Sequence, residues 1–190
     1  LGPGSGAPSA ADGPAAKWVV NTEGSEIGGP FTLTSHEGER VSSDELIDGP
    51  TLLYFGYTWC PDVCPIDTQV MIDAVNRLEE KGIEVDPVFV TVDPGRDDVE
   101  ALSHYTDAFH PRMVGLTGTM EEIRRATEAY KAYFSIEKTE PDQEDYLVNH
   151  TAFTYFLTPD GLQAMFRHNT PPEAMAAEIA RILEARGLTG

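Results

Sequence analysis

Cys60 and Cys64 are the only two cysteines in the 190-residue chain, with three residues between them. They stand in Tyr57-Thr58-Trp59-Cys60-Pro61-Asp62-Val63-Cys64-Pro65, between an apolar run and a segment of helical periodicity. Two thiols so placed can cycle between dithiol and disulfide, grip a soft metal ion, or staple a turn. Pro65 suits the first turn of a helix and puts Cys64 near its N-cap. A helix N-terminus stabilises thiolate, the form that both disulfide exchange and metal binding require. Redox dithiols of the thioredoxin kind use two intervening residues. The wider loop here can still close a disulfide, and it also lets two sulfurs hold an ion with one face open. Asp62 and Asp67 lie nearby, and negative charge raises a thiol's pKa, which blunts a nucleophile but favours a cation. These features tilt the pair toward metal.

Two thiolates suit copper(I) or zinc. Structural zinc normally takes four protein ligands, and few others are on offer here. A third ligand would be an imidazole or a thioether. The five methionines are scattered and read as packing. Among the five histidines, His36, His104 and His110 read as solvent-facing, and His168 lies in the loop before the last helix, where a surface role is favoured. His150 stands apart in Tyr146-Leu147-Val148-Asn149-His150-Thr151, just before an expected strand. In a thioredoxin-like layout that loop faces the cysteines, although position alone leaves its ligation open.

The elements around these residues alternate. Strands are expected at Trp18 to Val20 and Pro30 to Thr34, followed by a turn at His36 to Glu39 and a helical turn at Ser43 to Leu46. Thr51 to Tyr57 is near-continuously apolar, which predicts a central buried strand. Val70, Met71, Ala74, Val75 and Leu78 recur at helical spacing, and Lys81-Gly82 ends that helix. Further strands are expected at Val85 to Val92, Met113 to Leu116, Tyr146 to Val148, Phe153 to Leu157 and Gln163 to Arg167. Asp97 is expected to cap a helix toward Phe109, Thr119 to open one reaching Tyr130, and Pro171 to start the last. The pattern predicts a mixed, largely parallel sheet flanked by helices, with an N-terminal β-hairpin.

Composition narrows the function classes. Hydrophobic residues make up 41% of the chain, an ordinary globular value. The net charge of −19, from 13 basic and 32 acidic residues, disfavours nucleic acid and anionic lipid surfaces as partners. No apolar run is long enough to span a bilayer. Residues 1–16 read as a cloning remnant and flexible linker, and residues 17–190 as one domain.

The stretch Gly56 to Pro65 closely resembles the signature of the SCO/SenC family of copper-binding, thioredoxin-fold proteins that assist assembly of cytochrome c oxidase. Phe89-Val90-Thr91-Val92-Asp93-Pro94-Gly95-Arg96-Asp97, Gly115-Leu116-Thr117-Gly118 and Tyr146 to Thr151 resemble its further blocks, in order. The resemblance implies a thioredoxin-like fold and copper ligands at Cys60, Cys64 and His150. It also implies an accessory role in copper loading for Asp93, whose alternative is holding the strand-to-helix loop. It implies a metallochaperone rather than an enzyme, carrying copper(I), or copper(II) with an added water or carboxylate. Expected partners are a copper donor protein, the copper-site subunit of cytochrome c oxidase and a thioredoxin-like reductant. The expected location is the periplasm or an equivalent extracytoplasmic face, reached through an N-terminal membrane anchor. Asn149 departs from the acidic residue more common before the family's histidine. The rival reading is a thiol-disulfide reductase that keeps the oxidase's copper-site cysteines reduced. Against it, Asn149-His150-Thr151-Ala152 lacks the proline that such oxidoreductases carry there.

Overall fold

Unbroken burial across Thr51–Gly56 (β3) and nearly all of Asp86–Thr91 (β4) marks the centre of a sheet covered on both faces. The computed structural model describes residues 17–59, 63–138, 140–141, 147–150 and 152–187. The chain opens with a hairpin of β1 (Thr32–Ser35) and β2 (Arg40–Ser42), followed by the short helix α1 (Ser43–Leu46). Then β3, α2 (Val63–Glu80), β4, α3 (Val99–Asp107), β5 (Val114–Thr117) and α4 (Met120–Ala129) alternate. β6 (Phe134–Glu137), β7 (Leu147–His150), β8 (Thr154–Thr158), β9 (Gly161–Phe166) and α5 (Pro172–Ala185) complete the order. The main sheet runs β2-β1-β5-β4-β3-β8-β9. β3, β4 and β5 are parallel, while the strands added on either side pair antiparallel. The expected mixed sheet is present, although only the β3–β4 and β4–β5 pairings are parallel; an N-terminal hairpin is present too, but between β1 and β2 rather than between the strands expected at Trp18 to Val20 and Pro30 to Thr34.

Alternation along β3 builds two cores. Tyr54 points to the face covered by α2 and α3, where it bonds Asp67 and stacks near Phe89, which in turn meets Tyr105. Phe55 points the other way, against Tyr130 and Tyr155. Gly115 allows α3 to lie close on β5, because a Cβ there would sit 3.1 Å from Thr106 Cγ2 and 3.2 Å from Leu102 Cβ. Among the described residues, no helix is long and apolar enough to cross a membrane.

Three elements differ from expectation, the first being β2, which follows the turn at His36 to Glu39 where no strand was expected. The strand at Trp18 to Val20 is a single bridge from Val19 to Phe166. β6 had no counterpart in the sequence reading. Its four residues alternate half-buried and exposed, and so short a run carries too weak a periodicity to stand out from a loop.

α4 begins with a capping box between Thr119 and Glu122. The Glu122 carboxyl falls to about 2 from the usual 4.5, chiefly through its hydrogen bond from Arg40, which ties β2 to α4. The folded chain therefore takes up this proton later than the unfolded one does. The pair's contribution is present above about pH 4.5 and fades as the pH falls toward 2. Arg40→Ala should start acid unfolding at a higher pH, as followed by circular dichroism.

Candidate metal centre

Gly56 ends β3 at the carboxyl edge of the sheet, the edge where open α/β folds place their ligands. The chain then turns toward α2 through Tyr57, Thr58 and Trp59. Cys60, Pro61 and Asp62 lie outside the described residues. Cys64 is the second residue of α2, hence in its first turn as expected, and its backbone alone is described.

The β4–α3 loop brackets this turn. Asp97, fully buried, accepts hydrogen bonds from the Thr58 N–H (2.9 Å) and hydroxyl (2.5 Å) and from the Thr91 hydroxyl (2.7 Å). The Thr117 hydroxyl bonds the Asp97 carbonyl at 3.0 Å. One residue therefore gathers the ends of β3, β4 and β5. Burial pushes the Asp97 carboxyl up, Asp93 pushes it further, and the bonds from Thr58 and Thr91 oppose both. This corrects the expectation that Asp97 caps α3. The N-cap is Asp98, whose side chain accepts from the Ala101 N–H. Of two successive aspartates only one faces the helix end, and the other is turned inward.

Asp93 is 1% exposed. Its carboxylate takes the Arg96 Nε at 2.7 Å, and its carbonyl accepts the Arg96 and Asp97 N–H groups. The loop-holding role is thus present. The Arg96 guanidinium lies 4.8 Å from the Trp59 ring centre and 5.8 Å from that of Tyr57, within cation–π range. Trp59, immediately before Cys60, is 55% exposed.

His150 is the last residue of β7, opposite Phe134 in β6, rather than in a loop. Two residues earlier, the buried Val148 donates its N–H to the Tyr57 hydroxyl at 3.3 Å. The strand that ends in His150 is thereby pinned to the residue three before Cys60. The side chains of Cys64 and His150 lie outside the described residues. Among the described residues, no group of three or more His, Cys, Asp and Glu side chains is arranged to hold a metal ion.

The other histidines divide. His104 is exposed, as expected. His110 is buried and meets Glu79 at 3.0 Å, while His36 is half-buried and accepts the Gly115 N–H, so neither faces solvent as expected. Their polar partners lie far away in sequence, which periodicity cannot register. His168 is partly exposed and joins Asp67 in α2 at 2.8 Å. Tyr57, Arg96 and the inward Asp97 also escaped the sequence reading. The doubled aspartate at 97–98 was the available signal.

The SCO1/SenC family model matches residues 19–184. Protein SenC of Rhodobacter capsulatus is 43% identical over 161 residues, which cover 84% of this chain and 72% of that one. The chain spans 40% to 52% of the mitochondrial SCO relatives of human and Arabidopsis thaliana. Yeast Sco1 solved with copper bound superposes with a TM-score of 0.79 at 33% identity, over 84% of this chain and 89% of that one. BsSco, described by its disulfide switch and as a member of the Sco family of cytochrome c oxidase assembly proteins, superposes with a TM-score of 0.64 at 28% identity, over 86% and 95%. The fold is therefore thioredoxin-like, and the chain belongs to the SCO1/SenC family.

Proposed function

We propose that this chain is a copper metallochaperone that binds copper through Cys60, Cys64 and His150 and passes it by ligand exchange to the two-copper site of a cytochrome c oxidase subunit. The carrying observation is the Val148 to Tyr57 bond, which sets the strand ending in His150 beside the turn into Cys60. Two thiolates and one imidazole form a soft donor set that fits copper(I). Copper(II) would add a water or carboxylate. Asp93, engaged with Arg96, acts on the turn through that arginine rather than as a ligand. The copper-bound state of yeast Sco1 and the oxidase-assembly description of BsSco support cargo and destination. The domain works at an extracytoplasmic membrane face, held there by an anchor, and receives its ion from a donor protein.

In anaerobic competition titration, His150→Ala should weaken copper(I) binding by about 100-fold or more, since even supporting contacts at metal sites are worth 10- to 100-fold. An unchanged affinity would remove His150 from the site. The disulfide switch described for BsSco gives the reductase reading its own support. Disulfide formation and copper binding compete for the same two sulfurs, so a thioredoxin-like reductant would be needed to restore the dithiol. Insulin reduction assayed with dithiothreitol should stay near background, and robust turnover would favour the reductase.

A further inference from the structure

Arg124, Thr127 and Glu128 on α4, with the segment from Lys131 to Phe134 that follows it, line a groove of about 410 Å³. Its shape comes from the way α4 ends. The Lys131 N–H bonds the Glu128 carbonyl, and the Ala132 N–H bonds that of Thr127. This helix-ending motif puts Lys131 in the left-handed region, with φ of 56°. Glycine usually fills that position. The lysine here brings an exposed cationic side chain to the groove instead. The chain then leaves Tyr133 79% exposed, more than Trp59 or Ile66, and half-buries Phe134.

The charges at the groove set it apart. Arg125 pairs with Glu121, and Arg40 of β2 pairs with Glu122. Among the described residues, neither Arg124 nor Lys131 forms an ion pair. The exposed Arg124 guanidinium lies 4.9 Å from the Phe134 ring centre, which orients it without neutralising it. Glu128 is the one acid in the lining. In a chain of net charge −19, an acidic segment is repelled from most of the surface. Two unpaired cations beside an exposed tyrosine give it a place to seat, and repulsion elsewhere fixes its orientation. Phe134 stands opposite His150 in the β6–β7 pairing, so a protein seated here lies against the strand pair that ends in His150.

We propose that this groove docks an acidic segment of the protein that takes the copper, with its carboxylates on Arg124 and Lys131 and an apolar side chain against Tyr133. That the docked protein is the copper acceptor rests on the copper reading above, whereas the groove's shape and charge do not. The test titrates copper-free, isotope-labelled chain with the soluble copper domain of the oxidase subunit, and follows amide shifts by NMR and affinity by calorimetry. Shifts should centre on residues 124–134. Arg124→Glu/Lys131→Glu should weaken binding about tenfold. The gap from wild type should close in about 1 M salt, where screening acts over about 3 Å. Glu128→Gln should tighten binding about two- to threefold, a change of opposite sign that a damaged fold would not produce. Circular dichroism checks each variant. Unchanged affinity in the charge-reversed variant, shifts confined to other residues, or no binding at all would overturn the proposal. So would shifts on 124–134 that grow with chain concentration in the absence of the domain, which would mark a second copy as the occupant. Wild type that docks the domain but retains no copper would overturn the copper reading and leave the groove standing.

Discussion

Cys60→Ala and Cys64→Ala are each expected to lose more than about 100-fold in affinity for copper(I), beyond what removal of a supporting contact at a metal site produces. A thiolate is the strongest soft donor available to this chain, and with one gone the ion keeps a single sulfur and an imidazole. A dicoordinate sulfur pair tolerates loss of the nitrogen better than loss of either sulfur, so both cysteine variants should fall below His150→Ala. An anaerobic competition titration against a chromogenic copper(I) chelator gives the ranking. The same variants separate a metal trap from a structural staple. A disulfide closing so short a loop adds little stability, so metal-free Cys60→Ala should unfold within about 2 kcal/mol of oxidised wild type.

The second large effect is expected at a residue distant from both cysteines in sequence. Asp97→Ala leaves the Thr58 N–H and the Thr58 and Thr91 hydroxyls without their acceptor. A buried donor left unmade costs about 1–3 kcal/mol. Removing a carboxylate that burial disfavours returns part of this. A net loss of about 2–4 kcal/mol follows, measured by urea unfolding. Thr58 would lose its anchor two residues before Cys60, so copper(I) affinity should fall as well. Asp97→Asn keeps one acceptor and should sit between the two. Because the Asp97 carboxyl is raised, the folded chain holds its proton more tightly than the unfolded one. Its contribution is greatest at acid pH and declines as the pH climbs past the unfolded value of 3.8 through the higher folded one. Asp97→Asn should flatten that part of the stability profile.

The fold was legible where periodicity was strong. β3 and β4 read as buried because both faces of each strand are apolar, and α2 because apolar residues recur at helical spacing from Val70 to Leu78. Thr119 announced α4 through its capping chemistry. The candidate ligands were legible for another reason: Cys60 and Cys64 are close in sequence, and the block around His150 has a specific pattern. What supports them was not legible, because it is assembled from distant residues. Asp97 meets Thr58 across 39 positions, Val148 meets Tyr57 across 91, and His168 meets Asp67 across 101. A single sequence has no local signal for such pairs. It therefore put Asp97 on a helix end and His110 on the surface, where a lone polar residue most often belongs.

Copper bound to sulfur is what would make this chain a copper carrier. Purified, reduced protein given excess copper(II) and desalted should retain one copper per chain. Its visible spectrum should carry intense sulfur-to-copper charge-transfer bands that vanish in Cys60→Ala. Retention of no copper, or of copper with only weak d–d absorption that Cys60→Ala leaves unchanged, would contradict it.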